Sequence, residues 1–192
     1  MSIKCYREIL ERADSEEIRQ GRAWYWNANQ RIEKMSAETG YPLKICAGVV
    51  AVLSPMVEWG LNFRTAEKFL NTKGKTKGPG FKENFRKARE ILRGNMDVIR
   101  GPKVSRFFQT LVNPNFDEPT IDSQMIAAFW SDKPYSEEIG KRNREKYLRP
   151  MREAVIQLAN ERKESVSQTQ AIIWLSFKRL NGQYADQLKL WK

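Results

Sequence analysis

Apolar residues recur along the whole chain at helical spacing, and no stretch alternates polar and apolar positions as a half-buried strand would. Asp14 and Glu17 stand at capping-box spacing, and Ile18, Trp24, Tyr25, Ile32 and Met35 follow at roughly the period of a helix. Gly40 then supplies a C-terminal cap, with Pro42 just beyond it. Residues 43–53 are apolar on nearly every side, which predicts a buried central helix broken at Ser54-Pro55. Residues 61–70 and 81–92 read as two amphipathic helices joined by the basic, glycine-rich loop 73–80, and Gly94 ends the second. Pro102 suits the first turn of a further helix that runs to about Leu111. After the loop 113–119 come predicted helices over 121–130, 151–160 and 167–180, whereas the charged segment 136–147 shows no clear period. The fold class is therefore all-α. No repeat, low-complexity tract or linker divides the 192 residues, so they predict one domain, or one body of two lobes.

Charge changes the picture more than composition does. The chain carries 34 basic against 23 acidic residues, a formal charge of +11 spread along its length. A folded body of this charge favours polyanions, with nucleic acid first and an anionic membrane surface second. There is no histidine, so acid–base chemistry has to use Asp, Glu, Lys or Tyr. The two cysteines predict no disulfide framework, and Cys46, inside the apolar run, reads as a core residue. Without histidine or clustered cysteine, zinc and iron–sulfur sites are excluded. Composition leaves only a carboxylate-bound magnesium site open, and the reading names no metal and no cofactor. Residues 1–10 mix charged and apolar positions and lack the apolar stretch of a signal peptide. The longest apolar run, 45–53, is too short to span a bilayer. A soluble cytoplasmic monomer with no membrane partner is expected.

Candidate chemistry concentrates between Ile99 and Trp130. A tight Gly101-Pro102 turn opens a helix whose N-terminal amides form a ready anion site for a DNA phosphate. Lys103 lies in the first turn of that helix, and Asp122 opens the next one, where helix N-terminal amides stabilise a carboxylate. The plain alternatives are an ordinary turn and an ordinary N-cap.

The run Ile99-Arg-Gly-Pro-Lys-Val-Ser-Arg-Phe-Phe, followed by Pro119-Thr-Ile-Asp122, resembles the signature of the helix-hairpin-helix (HhH-GPD) DNA glycosylase superfamily. Its endonuclease III-like and archaeal 8-oxoguanine glycosylase members are the nearest in pattern. Residues 49–59 resemble that family's buried helix and DNA-wedging loop, 81–92 the helix before its hairpin, and 169–180 its closing helix. The sequence departs from the pattern at Ile99, in place of the hairpin's first Gly. Gln124 stands where a His often follows the catalytic Asp, and Met56 where the wedge loop usually has Gln. These departures leave room for a divergent substrate or a related reaction.

The resemblance implies two lobes with a DNA-binding cleft between them, one lobe spanning about 40–115 and the other 1–39 with 116–192. It implies a DNA glycosylase acting on duplex DNA that carries a modified base, with Asp122 stabilising an oxocarbenium-like sugar. Lys103 takes the position of the amine that forms a Schiff base in the lyase-active members, its plain alternative being a phosphate contact. Gly101, Pro102, Lys103, Ser105 and Arg106 would hold DNA at the hairpin. Ser54, Met56 and Val57 form the expected wedge loop, with Met56 and Val57 as the wedge. Lys73, Lys75 and Lys77, and the run Lys141, Arg142, Arg144 and Lys146, are expected backbone contacts. The base pocket is assigned to Trp24, Tyr25, Trp26, Trp59 and Gln124, with Asn27, Asn29 and Gln30 as polar neighbours able to read a base edge. Two further readings stand beside this one: a base-hypermodifying transferase of the same fold, as in some phage proteins, and a DNA-binding module that keeps only the hairpin.

Overall fold

Asp14 and Glu17 close the capping box that the sequence announces. The Glu17 amide donates to Asp14 Oδ1 at 2.8 Å, and the Asp14 amide donates to Glu17 Oε2 at 3.0 Å. The helix they open, α2 (Ser15–Thr39), runs for 25 residues to the left-handed Gly40. The computed structural model describes residues 3–130 and 137–182. Among them the chain is helical and contains no strand. Ahead of α2 lies α1 (Lys4–Glu11). Behind it follow α3 (Leu43–Leu53), α4 (Trp59–Asn71), α5 (Lys82–Leu92), a 3₁₀ turn (Met96–Val98), α6 (Pro102–Val112), α7 (Ser123–Trp130), α8 (Glu137–Arg142), α9 (Glu145–Arg162) and α10 (Val166–Leu180).

The described residues divide into two compact units, 27–113 and 3–26 with 114–182. The passage between them falls inside α2, not at Gly40 where the sequence reading put it. The second half of α2 is tied into the contiguous unit. Asn29 Nδ2 donates to the Leu111 and Val112 carbonyls at 2.9 and 3.2 Å. Arg31 lies 4.9 Å above the Phe63 ring and pairs with Glu67 at 3.7 Å. Residues 131–136 and 183–192, assigned to the other lobe in that reading, lie outside the described residues.

In the unit 27–113 the apolar helix α3 is the centre, with α4, α5 and α6 packed around it. Its residues 46–53 are all buried. Gly48 is small for a reason: a Cβ there would lie 3.2 Å from side-chain atoms of Ile91, Met96 and Ile99. The missing Cβ lets the 3₁₀ turn and Ile99 after it close onto α3, which places the N-terminus of α6.

The other unit packs α1, α7, α9 and α10 around one apolar cluster that includes Tyr6, Ile126, Met151, Val155 and Ile173. Gly21 allows the first half of α2 to approach α10 closely, since a Cβ would meet Ile172 Cγ1 at 2.4 Å. The segment 136–147, which shows no period in sequence, ends in α8 and the start of α9. That last helix begins six residues ahead of Met151 and carries Pro150 in its interior. Leu148 and Met151, one turn apart and both buried, hold the helix together across the missing amide. Ser165 opens α10 with a complete capping box to Gln168.

Candidate active site

Asp122 sits immediately ahead of α7 and caps it. Its Oδ1 accepts from the Met125 amide at 2.9 Å, and its backbone carbonyl accepts from Ile126 at 2.9 Å. Capping leaves Oδ2, which accepts from the indole Nε1 of Trp174 on α10 at 3.2 Å. The carboxylate is thus fixed from two sides while its side chain stays only half-buried. Among the described residues it forms no ion pair.

The surroundings are aromatic and polar. Trp24 packs on Trp174 with centroids 5.4 Å apart, and Lys178 Nζ lies 4.1 Å above the same indole. Gln170 Nε2 donates to the Tyr25 hydroxyl at 3.0 Å while its Oε1 accepts from the Thr120 amide at 2.8 Å. On the far side of α7 the Tyr6 hydroxyl donates to the Met125 carbonyl at 2.8 Å. Burial pushes the Tyr6 hydroxyl well above its ordinary value, and the charges of Asp122 and Cys5 add to the rise. Burial likewise raises the Tyr25 hydroxyl, opposed by its bond to Gln170 and reinforced by Asp122. Both phenols stay neutral at ordinary pH.

Trp24, Tyr25 and Gln124, expected to face a base, are interior residues of this unit. Trp24 and Tyr25 are held by their bonds and stacking to α10, so they brace the site from behind. Trp26, by contrast, is 42% exposed. Asn29 is committed to the α6 carbonyls and has no free donor role, whereas Asn27 is half-buried and Gln30 exposed. Trp59 is half-buried between Phe63 and Phe107, at 5.3 and 5.8 Å, within the contiguous unit.

The hairpin residues belong to that contiguous unit. Gly101 has φ +92°, a conformation that favours glycine, and Pro102 occupies the first turn of α6. No side chain caps this helix. Ser105 donates its amide back to the Gly101 carbonyl, and Arg106 reaches the Pro102 carbonyl at 3.2 Å. Lys103 is half-buried in the same turn. In the expected wedge loop Ser54 turns back to the Ala51 carbonyl, Val57 is half-buried, and Met56 is 73% exposed in the left-handed region at φ 62°. Lys73, Lys75 and Lys77 are exposed on a loop stapled by the Thr72–Thr76 hydroxyl pair and by Arg89 to the Gly74 carbonyl. Lys141, Arg144 and Lys146 are exposed, and Arg142 lies 4.5 Å above the Trp130 ring.

The residues that the sequence reading missed lie on one face of α10: Gln170, Trp174 and Lys178, each four positions after the last. A polar, an aromatic and a basic residue in register on an otherwise buried helix was the available signal. Among the described residues no cluster of three or more potential ligands could hold a metal ion, and no helix is long and apolar enough to cross a membrane.

Fold and site together define an all-α protein with a half-buried aspartate fixed between a helix N-terminus and an indole. The chain belongs to a protein family of unknown function (DUF7178), whose model matches residues 4–181. No curated protein and no solved structure matches it.

Proposed function

We propose that this protein is a DNA glycosylase in which Asp122 drives release of a modified base. The observation that carries the reading is the state of Asp122. It is a carboxylate fixed by the Met125 amide and the Trp174 indole, paired with no described cation and partly open. Such a group suits a transition state that gains positive charge on a sugar, because its negative charge is preorganised. The target nucleotide leaves the base stack before reaction. The C1′–N bond then breaks with its electron pair going to the base, which takes a proton from solvent water as it departs. Water adds to C1′ and passes its proton to Asp122. The charge of +11 and the uncapped α6 N-terminus beside Lys103 support binding to a phosphate backbone. The resemblance to helix-hairpin-helix glycosylases supports the substrate class.

The test is incubation of the protein with duplexes bearing different modified bases, followed by heat and alkali to reveal abasic sites. Asp122→Asn keeps the cap, because Asn caps a helix about as well as Asp, but removes the charge. It should lose at least ~10²-fold in rate with binding retained. Full activity in Asp122→Asn would remove the mechanism. Borohydride decides the role of Lys103: a sugar imine is trapped as a stable amine, whereas a phosphate contact leaves nothing to trap. A base transferred or substituted without any abasic product would instead mark the related transferase reaction.

A further inference from the structure

Within the unit 27–113 the loop between α4 and α5 is basic, yet it is built as a fixed shelf. Thr72 and Thr76 share a hydroxyl hydrogen bond of 2.8 Å, and Arg89 Nε donates to the Gly74 carbonyl at 3.1 Å. Glycines let the loop sit close to the helices. A Cβ on Gly74 would stand 3.2 Å from Leu92 Cδ1, and one on Gly78 only 2.8 Å from Thr65 Cγ2. Gly74 is buried and Thr76 half-buried, whereas Lys73, Lys75 and Lys77 are exposed. The loop thus turns its lysines outward at alternate positions, with neighbouring lysine Cα atoms no more than about 7 Å apart. The carboxylates of α5 are engaged on their own helix, Glu83 with Arg86 and Glu90 with Arg93. Among the described residues the three lysines form no ion pair. Like charges gathered on one loop repel, so fold stability does not account for them. The shelf ends on an aromatic ring. Phe81 stands at the head of α5, where a polar capping residue is usual, and is 57% exposed. Gly80 beside it lies against Val57, where a Cβ would be 3.4 Å from Cγ2.

From this juxtaposition we infer that residues 73–81 form a binding site for an unpaired nucleic-acid strand, with Lys73, Lys75 and Lys77 on its phosphates and Phe81 stacked on a base. The inference goes beyond the glycosylase reading and does not rest on Asp122. An unpaired strand carries a row of anions beside uncovered π-faces. A row of cations that ends in an exposed ring is its complement. Pinning the loop lowers the cost of ordering it when the strand binds. A paired duplex offers the same phosphates but keeps its bases stacked on one another. An anionic lipid surface attracts the lysines equally, but there the ring counts only as apolar area, and its place next to the charges is idle.

The probe is a labelled oligothymidylate of about ten nucleotides, followed by fluorescence anisotropy. A second oligomer of equal length is built of tetrahydrofuran abasic residues, which keep the phosphates and remove the bases. Wild-type protein should bind the oligothymidylate roughly tenfold more tightly than the abasic oligomer. Phe81→Ala should abolish that preference and leave the salt slope unchanged, because stacking releases no counterions. Phe81→Trp should restore the preference. Lys73→Gln, Lys75→Gln and Lys77→Gln together should weaken both ligands and lower the salt slope by about two. Thermal melting of each variant separates loss of contact from loss of fold. Equal affinity of wild-type protein for the two oligomers overturns the assignment, as does a preference that survives in folded Phe81→Ala. Phe81-dependent binding to phosphatidylserine vesicles, with no binding of oligothymidylate, overturns it in favour of a lipid surface. The abasic-site assay of Asp122→Asn tests the glycosylase reading separately, so the two can fail independently.

Discussion

The two units bury their polar groups in different ways. In the unit 27–113 the buried polar side chains are uncharged, and Asn29, Asn62 and Thr110 bond to backbone carbonyls. Asn29 reaches Leu111 and Val112, Asn62 reaches Val50, and Thr110 reaches Arg106. In the other unit buried Ser167 also bonds a carbonyl, that of Pro114, but several buried polar groups join side chain to side chain. Glu17, fully buried, accepts from Ser176 and from Arg179 at 2.9 and 2.6 Å, Gln170 bonds Tyr25, and Trp174 bonds Asp122. A side chain bonded to a carbonyl staples a helix end or a turn, and its loss loosens one contact. A side-chain network fixes the orientation of every member, which is what a reactive carboxylate needs. The unit with the networks holds Asp122. The unit with the staples holds the exposed loops of Met56 and the lysines.

That contrast can be broken most directly at Arg179. Arg179→Met would leave Glu17 buried beside Ser176 with its main cation gone, at a cost of ~3 kcal/mol in unfolding free energy. Denaturant unfolding measures it, and a loss under ~1 kcal/mol would mean that the network is not rigid. Next in size is Gly21→Ala, where the new methyl would meet the Ile172 backbone nitrogen at 2.8 Å as well as its side chain. Backbone cannot rotate away, so ~2 kcal/mol should be lost, read as a lower melting temperature. Asn29→Ala tests the staple side of the comparison. It removes one side chain from two helix-end carbonyls, and ~1 kcal/mol is expected from the same unfolding curves. A loss matching Arg179→Met would erase the distinction between the units.

The smallest effect concerns pH. Burial alone would raise the Glu164 carboxyl, but hydrogen bonds from Arg162 and Arg22 outweigh it and hold it below its ordinary value of 4.5. A depressed carboxyl stabilises the fold above that ordinary value, and the contribution is lost as pH falls through the folded one. The stability gap between wild type and Glu164→Gln should therefore be full at neutral pH and shrink on acidification below about 4.5. Its size should stay near ~0.5 kcal/mol, because both arginines reach solvent. A gap that widened in acid would reverse the assigned sign.

Local signals in the sequence were read correctly where the physics is local. The capping box at Asp14, the break at Ser54-Pro55, the proline opening α6 and the aspartate at the head of α7 depend on residues within one turn of each other. What the sequence hid depends on contacts across the chain. Trp174 meets Asp122 from a helix 52 positions away, and Arg179 meets Glu17 across 162. No periodicity encodes such pairs. The division of α2 between two units was hidden for a related reason: nothing within that helix changes at Trp26, and only its partners do. Likewise Trp24 and Tyr25 look the same in sequence whether they face a ligand or a neighbouring helix. The long pairings with α10 settle it by covering them.

The route of the chain through the two units has a consequence for how the protein comes to be folded. Residues 27–113 are contiguous, so they can fold as soon as they leave the ribosome, when the rest of the other core has yet to be made. Helix α1 is made first, yet Tyr6, Ile9 and Leu10 find their partners only when α7, α9 and α10 arrive. Until then this short amphipathic helix waits with its apolar face open. Prior folding of 27–113 removes its slack from the intervening segment, which lowers the entropic cost of closing α1 onto α10. The order of synthesis thus favours building the turn at Gly101-Pro102 first and the surroundings of Asp122 last.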